Sequence, residues 1–239
     1  MFELNVVSKK RHQLFGRRKG RNLSASMKLL IEQELPCRLV PVFESSVAIV
    51  EPSEWFPNKP SAVWLEIGFG GGEHLAWQAM KNPTVALVGC EPFLNGIASL
   101  LRHLSKIEGD RVRIYPDDAR DMLDLLPDQC LERIFILHSD PWPKRRHHYR
   151  RIIQHKTIDQ LYNLLKPGGV LRMSTDQPDY VIWILARITA HADFRWTGRS
   201  IDDFTQSRKD WPETRYEAKG RKEKRIPTYI EFCKPVEAN

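Results

Sequence analysis

The stretch that decides the fold runs from Leu65 to Glu73 and reads LEIGFGGGE. An apolar run leads into it and the helical pattern of Gly72–Lys81 follows, so the glycines mark a turn between a strand and a helix. Glycine lets the backbone turn tightly and lets a ligand approach without a Cβ atom in the way. Such a turn occurs in many proteins, and by itself it indicates a nucleotide-binding fold without a specific activity.

Alternating strand and helix patterns surround this turn. Short apolar, β-branched runs predict the strands Ala62–Ile67, Val85–Cys90, Val112–Tyr115, Arg133–Leu137, Val170–Ser174 and Thr228–Cys233. The predicted helices are Gly72–Lys81, Leu94–Ile107, Ile152–Leu165 and Asp179–His191, with Pro167-Gly168-Gly169 marking one helix end. The alternation predicts an α/β fold with a doubly wound, mostly parallel sheet and helices on both faces.

Positive charge is concentrated in three segments. The formal net charge is +7, and residues 1–30 hold eight Lys or Arg residues against one acid, Glu3. Further basic runs lie at residues 144–151 and 219–225. Basic clusters attract a polyanion and release its counterions on binding, which favours nucleic acid as a partner. The alternative is that these runs are solvated faces or a disordered arm.

Composition also predicts the organisation of the chain. We expect a basic N-terminal extension over residues 1–60, with a short helix around residues 24–34 and the first 20 or so residues disordered without RNA. Residues 61–239 are expected to form the α/β domain. The four scattered cysteines indicate a reduced, cytoplasmic protein. We see no signal peptide and no run of roughly 20 apolar residues, so no membrane partner is expected.

Acidic residues follow the first three predicted strands in order. Glu66 ends the first, Glu91 the second, and Asp117-Asp118 the third. At this edge of a doubly wound sheet, Glu91 could accept hydrogen bonds from both ribose hydroxyls and Asp118 from an adenine amino group. Each acid alone could instead be a cap or turn residue. A nicotinamide-dependent oxidoreductase fits less well, because Glu73 stands where a dinucleotide fingerprint has its third glycine and would repel pyrophosphate.

The glycine turn from Glu66, the acids Glu91 and Asp118, and the segment Asp140-Pro-Trp-Pro-Lys144 together resemble class I methyltransferases. More narrowly, the chain is similar to the bacterial tRNA (guanine-N7)-methyltransferases over residues 15–234. That resemblance implies a Rossmann-like, seven-stranded sheet, S-adenosylmethionine as cofactor, and tRNA guanine at position 46 of the variable loop as substrate. His138-Ser139 departs from the aromatic-Pro pair that the family has before Asp140.

The resemblance also implies roles for individual residues. The implied cofactor contacts are Glu66, Gly68, Gly70, Glu91, Asp118, Ala119 and Asp140, with Asp140 also the catalytic residue. The implied substrate contacts are Lys144, Asp176, Thr214, Arg215, Tyr216 and Glu217. The residues placed on the RNA side are Arg146, His147, His148, Tyr149, Arg150 and Arg151. No metal is expected, because the paired histidines have no partner pattern with the scattered cysteines.

Guanine N7 carries a free lone pair, so its methylation needs no general base. Asp140 could stabilise the positive charge of the methylated base or hold the methionine ammonium. Trp142 could stack on the base or pack the loop against the core. The alternatives left open are methylation of another RNA base or of a protein glutamine, the nicotinamide-dependent oxidoreductase, and a non-catalytic RNA-binding module. We expect a monomer or homodimer with no obligate protein partner.

Overall fold

The computed structural model of the protein describes residues 12–41 and 51–236. The strands in this part of the chain are β1 (Ala62–Ile67), β2 (Val85–Cys90), β3 (Val112–Tyr115), β4 (Leu131–Leu137), β5 (Leu165–Thr175), β6 (Arg195–Trp196) and β7 (Thr228–Cys233). They form one sheet in the order β3-β2-β1-β4-β5-β7-β6. The first five strands pair in parallel, and β7 is antiparallel to both β5 and β6. The predicted doubly wound, mostly parallel sheet is confirmed.

Helices cover both faces of this sheet. They are α1 (Ala25–Arg38), α2 (Glu73–Lys81), α3 (Leu94–Leu104), α4 (Ala119–Leu123), α5 (His155–Leu164), α6 (Pro178–Ile188), α7 (Asp202–Thr205) and α8 (Arg215–Lys222), with 3₁₀ turns at Pro52–Trp55 and Arg145–Arg150. Alternate residues of β1 enter opposite cores, because successive strand side chains point to opposite faces. Val63 and Leu65 pack in the cluster that holds α5 and α6, whereas Trp64 packs with α2 and α3.

The N-terminal extension packs on the α/β domain. Ser24 caps α1 by accepting a hydrogen bond from the Met27 backbone N–H, and Ile31 and Leu35 are buried in the cluster shared with α3. The Val40 backbone N–H donates to the Ile114 carbonyl at 3.0 Å. The composition of the chain changes at residue 60, but residues on both sides of this point share one hydrophobic core. Residues 1–11 of the arm expected to be disordered lie outside the described residues.

Several elements differ from the sequence-based prediction. Strand β5 begins at Leu165, directly after α5, so Pro167-Gly168-Gly169 lies inside the strand and does not mark the helix end. Gly168 has φ +80°, and the β4–β5 register shifts between Leu131 and Arg133, which accommodates the proline and glycines as an irregularity. The short elements α4, α7, α8 and β6 were not predicted. No helix in the described ranges is long and apolar enough to span a membrane.

Candidate active site

A cavity of about 720 Å³ opens where β1 to β4 end. Parallel strands of a doubly wound sheet present their carboxyl ends at one edge, and ligands bind in the crevice there. All the cofactor contacts implied by the resemblance line this cavity, namely Glu66, Gly68, Gly70, Glu91, Asp118, Ala119 and Asp140. The topology therefore brings these residues to one site, although they are spread over residues 66–140 of the chain.

The glycine turn after β1 leaves room for a ligand. Gly68 has φ +74°, and a Cβ atom at this position would meet no atom within 4 Å. Its backbone N–H donates to the Cys90 carbonyl at 2.8 Å, which ties the turn to the end of β2. Gly70 has φ +56°, and a Cβ there would lie 3.0 Å from the Tyr216 ring. Left-handed backbone and close packing thus both select glycine at position 70.

Glu91 is a buried carboxylate at the end of β2. Its Oε2 accepts from the Gly70 N–H at 2.8 Å, and its Oε1 accepts from the Phe93 N–H at 3.0 Å. Each oxygen keeps a further lone pair for a ligand. Burial raises the pKa of Glu91 to about 7; the two backbone hydrogen bonds oppose this shift, and the carboxylates of Asp140 and Glu66 add to it. Glu91 therefore changes its charge near neutral pH.

Asp118, after β3, acts as the N-cap of α4. Its Oδ1 accepts from the Arg120 backbone N–H at 3.0 Å and from Arg120 Nε at 2.9 Å, and its Oδ2 accepts from Arg120 Nη2 at 2.7 Å. The cap and ligand interpretations of this acid are compatible, because the capped carboxylate still lines the cavity. Arg120 fixes its orientation and offsets part of its charge.

Asp140 lies on the loop after β4. The residue is exposed, but its carboxyl sits in the cleft, where partial burial raises its pKa above the ordinary value and the Arg17 guanidinium opposes the shift. Two residues later, Trp142 has φ +40°, an uncommon conformation for a bulky residue, and its half-buried ring lines the cavity. The turn at Trp142 therefore gives this loop a specific shape beside the acid.

The N-terminal arm forms one wall of the cavity through Leu14, Phe15, Gly16 and Arg17. Arg18 Nη2 lies 2.5 Å from Asp117 Oδ1, and the Arg18 carbonyl accepts from the Leu94 N–H at 2.9 Å. Arg120 Nη2 donates to the Gln13 carbonyl at 2.9 Å. The basic run at residues 16–20 resembles the arm of the bacterial enzymes, but the sequence did not predict that the arm lines the cavity. These contacts tie residues 12–20 to the domain, and disorder of the arm without RNA stays a prediction.

The basic segment after the Asp140 loop has an outer and an inner set of side chains. Lys144, Arg145 and Arg146 are exposed, whereas His147 and His148 are half-buried. The Arg150 guanidinium lies 5.1 Å from the Phe15 ring centroid and 5.0 Å from that of Trp142. Arg150 therefore links the arm to the Asp140 loop at the cavity wall, because a guanidinium is attracted to the faces of aromatic rings.

Arg151 is not on the RNA side. Its side chain is 1% exposed, its Nε donates to the Pro141 carbonyl at 2.7 Å, and its Nη2 pairs with Asp179. The guanidinium also packs over the rings of Tyr180 and Trp183. The prediction that Arg151 contacts RNA is wrong, because its side chain is buried. Its hydrogen bond to the Pro141 carbonyl instead supports the Asp140 loop.

The expected substrate residues Thr214–Glu217 begin α8. Glu217 and Thr214 form a capping box: the Glu217 carboxylate accepts from the Thr214 N–H at 2.7 Å, and Thr214 Oγ1 accepts from the Glu217 N–H at 3.2 Å. Thr214 and Tyr216 line the cavity, and Arg215 is exposed. Glu217 is 1% exposed and lies behind His138, whose Nε2 is 3.7 Å from its Oε1.

Asp176, after β5, lies close to this group. Its Oδ2 accepts from Arg225 Nε at 2.7 Å, and its Oδ1 accepts from Gln177 Nε2 at 2.9 Å. Burial favours the protonated acid, but the hydrogen bonds from Arg225 and Gln177 outweigh it and lower the pKa of Asp176. Asp176 is thus held as a carboxylate next to His138, which lines the cavity.

Comparison with known proteins identifies the family. Residues 60–228 match a family model described as "Putative methyltransferase". A tRNA (guanine-N(7)-)-methyltransferase of Rhodospirillum rubrum is 43% identical over 92% of this chain and 87% of its own length. Enzymes with the same name from Paramagnetospirillum magneticum (47%, covering 87% of each chain) and Azorhizobium caulinodans (39%, covering 97% and 100%) are also similar. The chain belongs to this methyltransferase family.

Solved structures agree with the family at the level of the fold. The 16S rRNA methyltransferase KamB superposes with a TM-score of 0.57 at 14% identity, covering 83% of this chain and 99% of that chain. Human methyltransferase-like protein 13, in complex with SAH, gives a TM-score of 0.51 at 15% identity, covering 80% and 78%. The fold is that of class I methyltransferases, and membership implies S-adenosylmethionine as methyl donor. The nicotinamide-dependent alternative is set aside.

Proposed function

We propose that the protein transfers a methyl group from S-adenosylmethionine to N7 of a guanine in tRNA, at position 46 of the variable loop, and so forms 7-methylguanosine. The observation that carries the proposal is the identity of 39–47%, over most of the chain, to enzymes named for this activity. The acidic cavity beside a basic surface supports it, because the reaction needs a cationic cofactor and a polyanionic substrate.

The cavity suits S-adenosylmethionine in charge and shape. When bound, this cofactor supplies an electrophilic methyl group on a positively charged sulfonium. Glu66, Glu91 and Asp140 surround the cavity with carboxylates, which favour such a cation in a site partly withdrawn from water. Glu91 has lone pairs free for the ribose hydroxyls, and the open space at Gly68 admits a ligand close to the backbone.

The chemistry asks little of the protein beyond positioning and charge. Guanine N7 attacks with its own lone pair, so no side chain has to remove a proton first. Methylation leaves the base positively charged. The Asp140 carboxylate, at the mouth of the same cavity, stabilises that charge as it develops, which is the catalytic role we assign to it. The remaining rate enhancement comes from holding N7 and the methyl group in line.

The group beside His138 is proposed to orient the guanine. Glu217 Oε1 is buried next to His138, whose Nε2 lies 3.7 Å away, and hydrogen bonds from His138 and the Thr214 N–H lower the pKa of this carboxyl; Asp176 is held as a carboxylate nearby. Acceptors of this kind match the N1–H and N2–H₂ donors of guanine. Thr214, Arg215 and Tyr216 would form the rim through which the base enters.

The exposed cations are proposed to bind tRNA phosphates. Lys144, Arg145 and Arg146 follow the Asp140 loop directly, so they would hold the phosphates around the target nucleotide. His147, His148 and Tyr149 border this patch, and Arg150 forms its inner edge against Phe15. Such an enzyme would act where tRNA is found, in the cytoplasm.

The experiment that tests the proposal is methyl transfer by the purified protein alone. The protein is incubated with labelled S-adenosylmethionine and unmodified tRNA, and the product is cleaved with borohydride and aniline, which break the chain at 7-methylguanosine. We expect cleavage at position 46, without addition of a second protein. Label incorporated without cleavage there would reassign the enzyme to another base.

A further inference from the structure

His74 makes a buried contact with the cofactor residue Glu66 that no motif in the sequence indicates. Both side chains are 2% exposed, and His74 Nδ1 lies 2.7 Å from Glu66 Oε2. His74 belongs to the first turn of α2, two residues after the glycine turn, and lines the same cavity. A histidine is thus built into the wall of the cofactor site with a carboxylate as its partner.

The tautomer of His74 follows from its second neighbour, Gln78. Gln78 Nε2 donates to the Asp210 carbonyl at 2.8 Å, and Gln78 Oε1 accepts from Asn82 Nδ2 at 3.0 Å, so the orientation of this amide is fixed. The same amide nitrogen lies 3.1 Å from His74 Nε2, and an amide nitrogen can donate but not accept. His74 Nε2 is therefore the acceptor, and Nδ1–H donates to Glu66.

This chain of hydrogen bonds is anchored in the sheet. The Asp210 carboxylate accepts from Arg133 Nη1 at 3.1 Å and from Arg172 Nη1 at 2.9 Å, which belong to the adjacent strands β4 and β5. The His74 ring also packs at an angle against Phe135, with ring centroids 4.7 Å apart. Both nitrogens and the ring are held, so His74 presents its donor in a fixed direction.

We propose that His74 is a positioning residue of the cofactor site, which fixes the Glu66 carboxylate through Oε2 and leaves Oε1 available for the cofactor. The inference rests on the proposed use of S-adenosylmethionine. A neutral imidazole orients the carboxylate without cancelling its charge, which an arginine or lysine partner would do. This partner therefore leaves the attraction between Glu66 and the cationic part of the cofactor undiminished.

Two substitutions at position 74 separate positioning from packing. In His74→Asn, the side-chain Nδ2–H₂ can replace Nδ1–H as donor to Glu66, whereas His74→Leu fills space without a donor. Calorimetric titration with S-adenosylhomocysteine measures the cofactor site independently of any RNA. We expect the dissociation constant to rise about 10- to 100-fold in the Leu variant and to stay within about threefold in the Asn variant.

Steady-state kinetics and a control variant complete the test. The KM for S-adenosylmethionine should rise in His74→Leu while kcat at saturation changes less than about threefold, since binding is what the contact serves. His191→Leu, which removes a half-buried histidine elsewhere in the domain, should leave both constants unchanged. Equal dissociation constants for the wild type and His74→Leu, or equal weakening in both position-74 variants, would overturn this inference and leave the proposed function intact. Failure of the wild type to bind would overturn the proposed function with it.

A spectroscopic readout on the wild-type protein tests the hydrogen-bond direction without any position-74 variant. Nitrogen-15 correlation spectra of the wild-type protein should show His74 as the neutral Nδ1–H tautomer. Gln78→Leu removes the donor to Nε2 and should shift this signature toward a mixture of tautomers. An Nε2–H tautomer in the wild-type protein would refute the hydrogen-bond direction on which the inference depends.

Discussion

Cofactor affinity is expected to fall as the pH is lowered through 7, because Glu91 must be ionised to accept hydrogen bonds from the ribose. Burial raises the pKa of this carboxyl to about 7 in the free protein. Below that value the protonated form prevails. The added proton then occupies a lone pair of Glu91 that would otherwise accept a hydrogen bond from a ribose hydroxyl. Protons and cofactor are therefore competing ligands, and affinity increases with pH until Glu91 is fully ionised.

The size of the effect follows from the pKa. If the ionised form alone binds, the dissociation constant rises about twofold at pH 7 and about tenfold at pH 6, relative to its value at high pH. Above pH 8 the curve should be flat. The neighbouring carboxylates contribute to the raised pKa, so replacing Asp140 by Asn should move the midpoint of the curve to lower pH.

The assay is a calorimetric titration between pH 5.5 and 8.5 with 5′-methylthioadenosine. This probe keeps the adenosine and lacks the amino acid, whose amino group would otherwise titrate near pH 8. Glu91→Gln is the matched control: it cannot ionise, so its weaker binding should not vary with pH. A flat profile for the wild-type protein between pH 8 and 6, or the same slope in the Gln variant, would refute the reasoning.

Three further outcomes are expected. Arg18→Ala should weaken binding of S-adenosylhomocysteine about fivefold, because the arm loses its ion pair with Asp117. Calorimetric titration measures this against Lys19→Ala, a control change at an exposed neighbour. Equal affinities for the two variants would place the arm outside the site. Arg151→Met should lower the free energy of unfolding by about 2 kcal/mol and reduce kcat, as measured by urea denaturation and turnover, since it removes the buried support of the Asp140 loop. Replacing Arg145 and Arg146 together by Ala should reduce the slope of log affinity for tRNA against log salt by about 1.5 to 2 without changing stability; an unchanged slope would mean that the patch does not touch phosphate.

The sheet was largely predictable because its central strands β1, β2 and β3 are buried on both faces. Continuous apolar, β-branched runs mark β1, β2, β3 and β7 with the bounds found in the structure. Acids at the ends of β1, β2 and β3 were expected to meet, since parallel strands present their carboxyl ends at one edge. Hence Glu66, Glu91 and Asp118 could be placed at one edge from the sequence, whereas the role of Asp140 rested on the resemblance.

The orientation of the basic side chains could not be predicted, because a basic run does not show which of its side chains turns inward. Arg150 and Arg151 are neighbours in the sequence, yet one borders the cavity and the other is buried beneath the loop. Helix α8 has few apolar residues, so periodicity did not reveal it. The spacing of Thr214 and Glu217 does match a capping box, and this local signal could have predicted where the helix begins.

The carboxylates of the cavity and the exposed cations beside it differ in the charge of the ligand that they attract. Glu66, Glu91 and Asp140 repel one another in the free protein, and this repulsion contributes to the raised pKa of Glu91. A cationic ligand relieves it, so the same carboxylates that make the free site costly make a positively charged cofactor fit. The proposed phosphate contacts carry the opposite sign, because Lys144, Arg145 and Arg146 are exposed cations that follow the Asp140 loop. On the proposed assignment, the carboxylates inside the cavity attract the cationic cofactor, and the exposed cations after the Asp140 loop attract the polyanion at its rim.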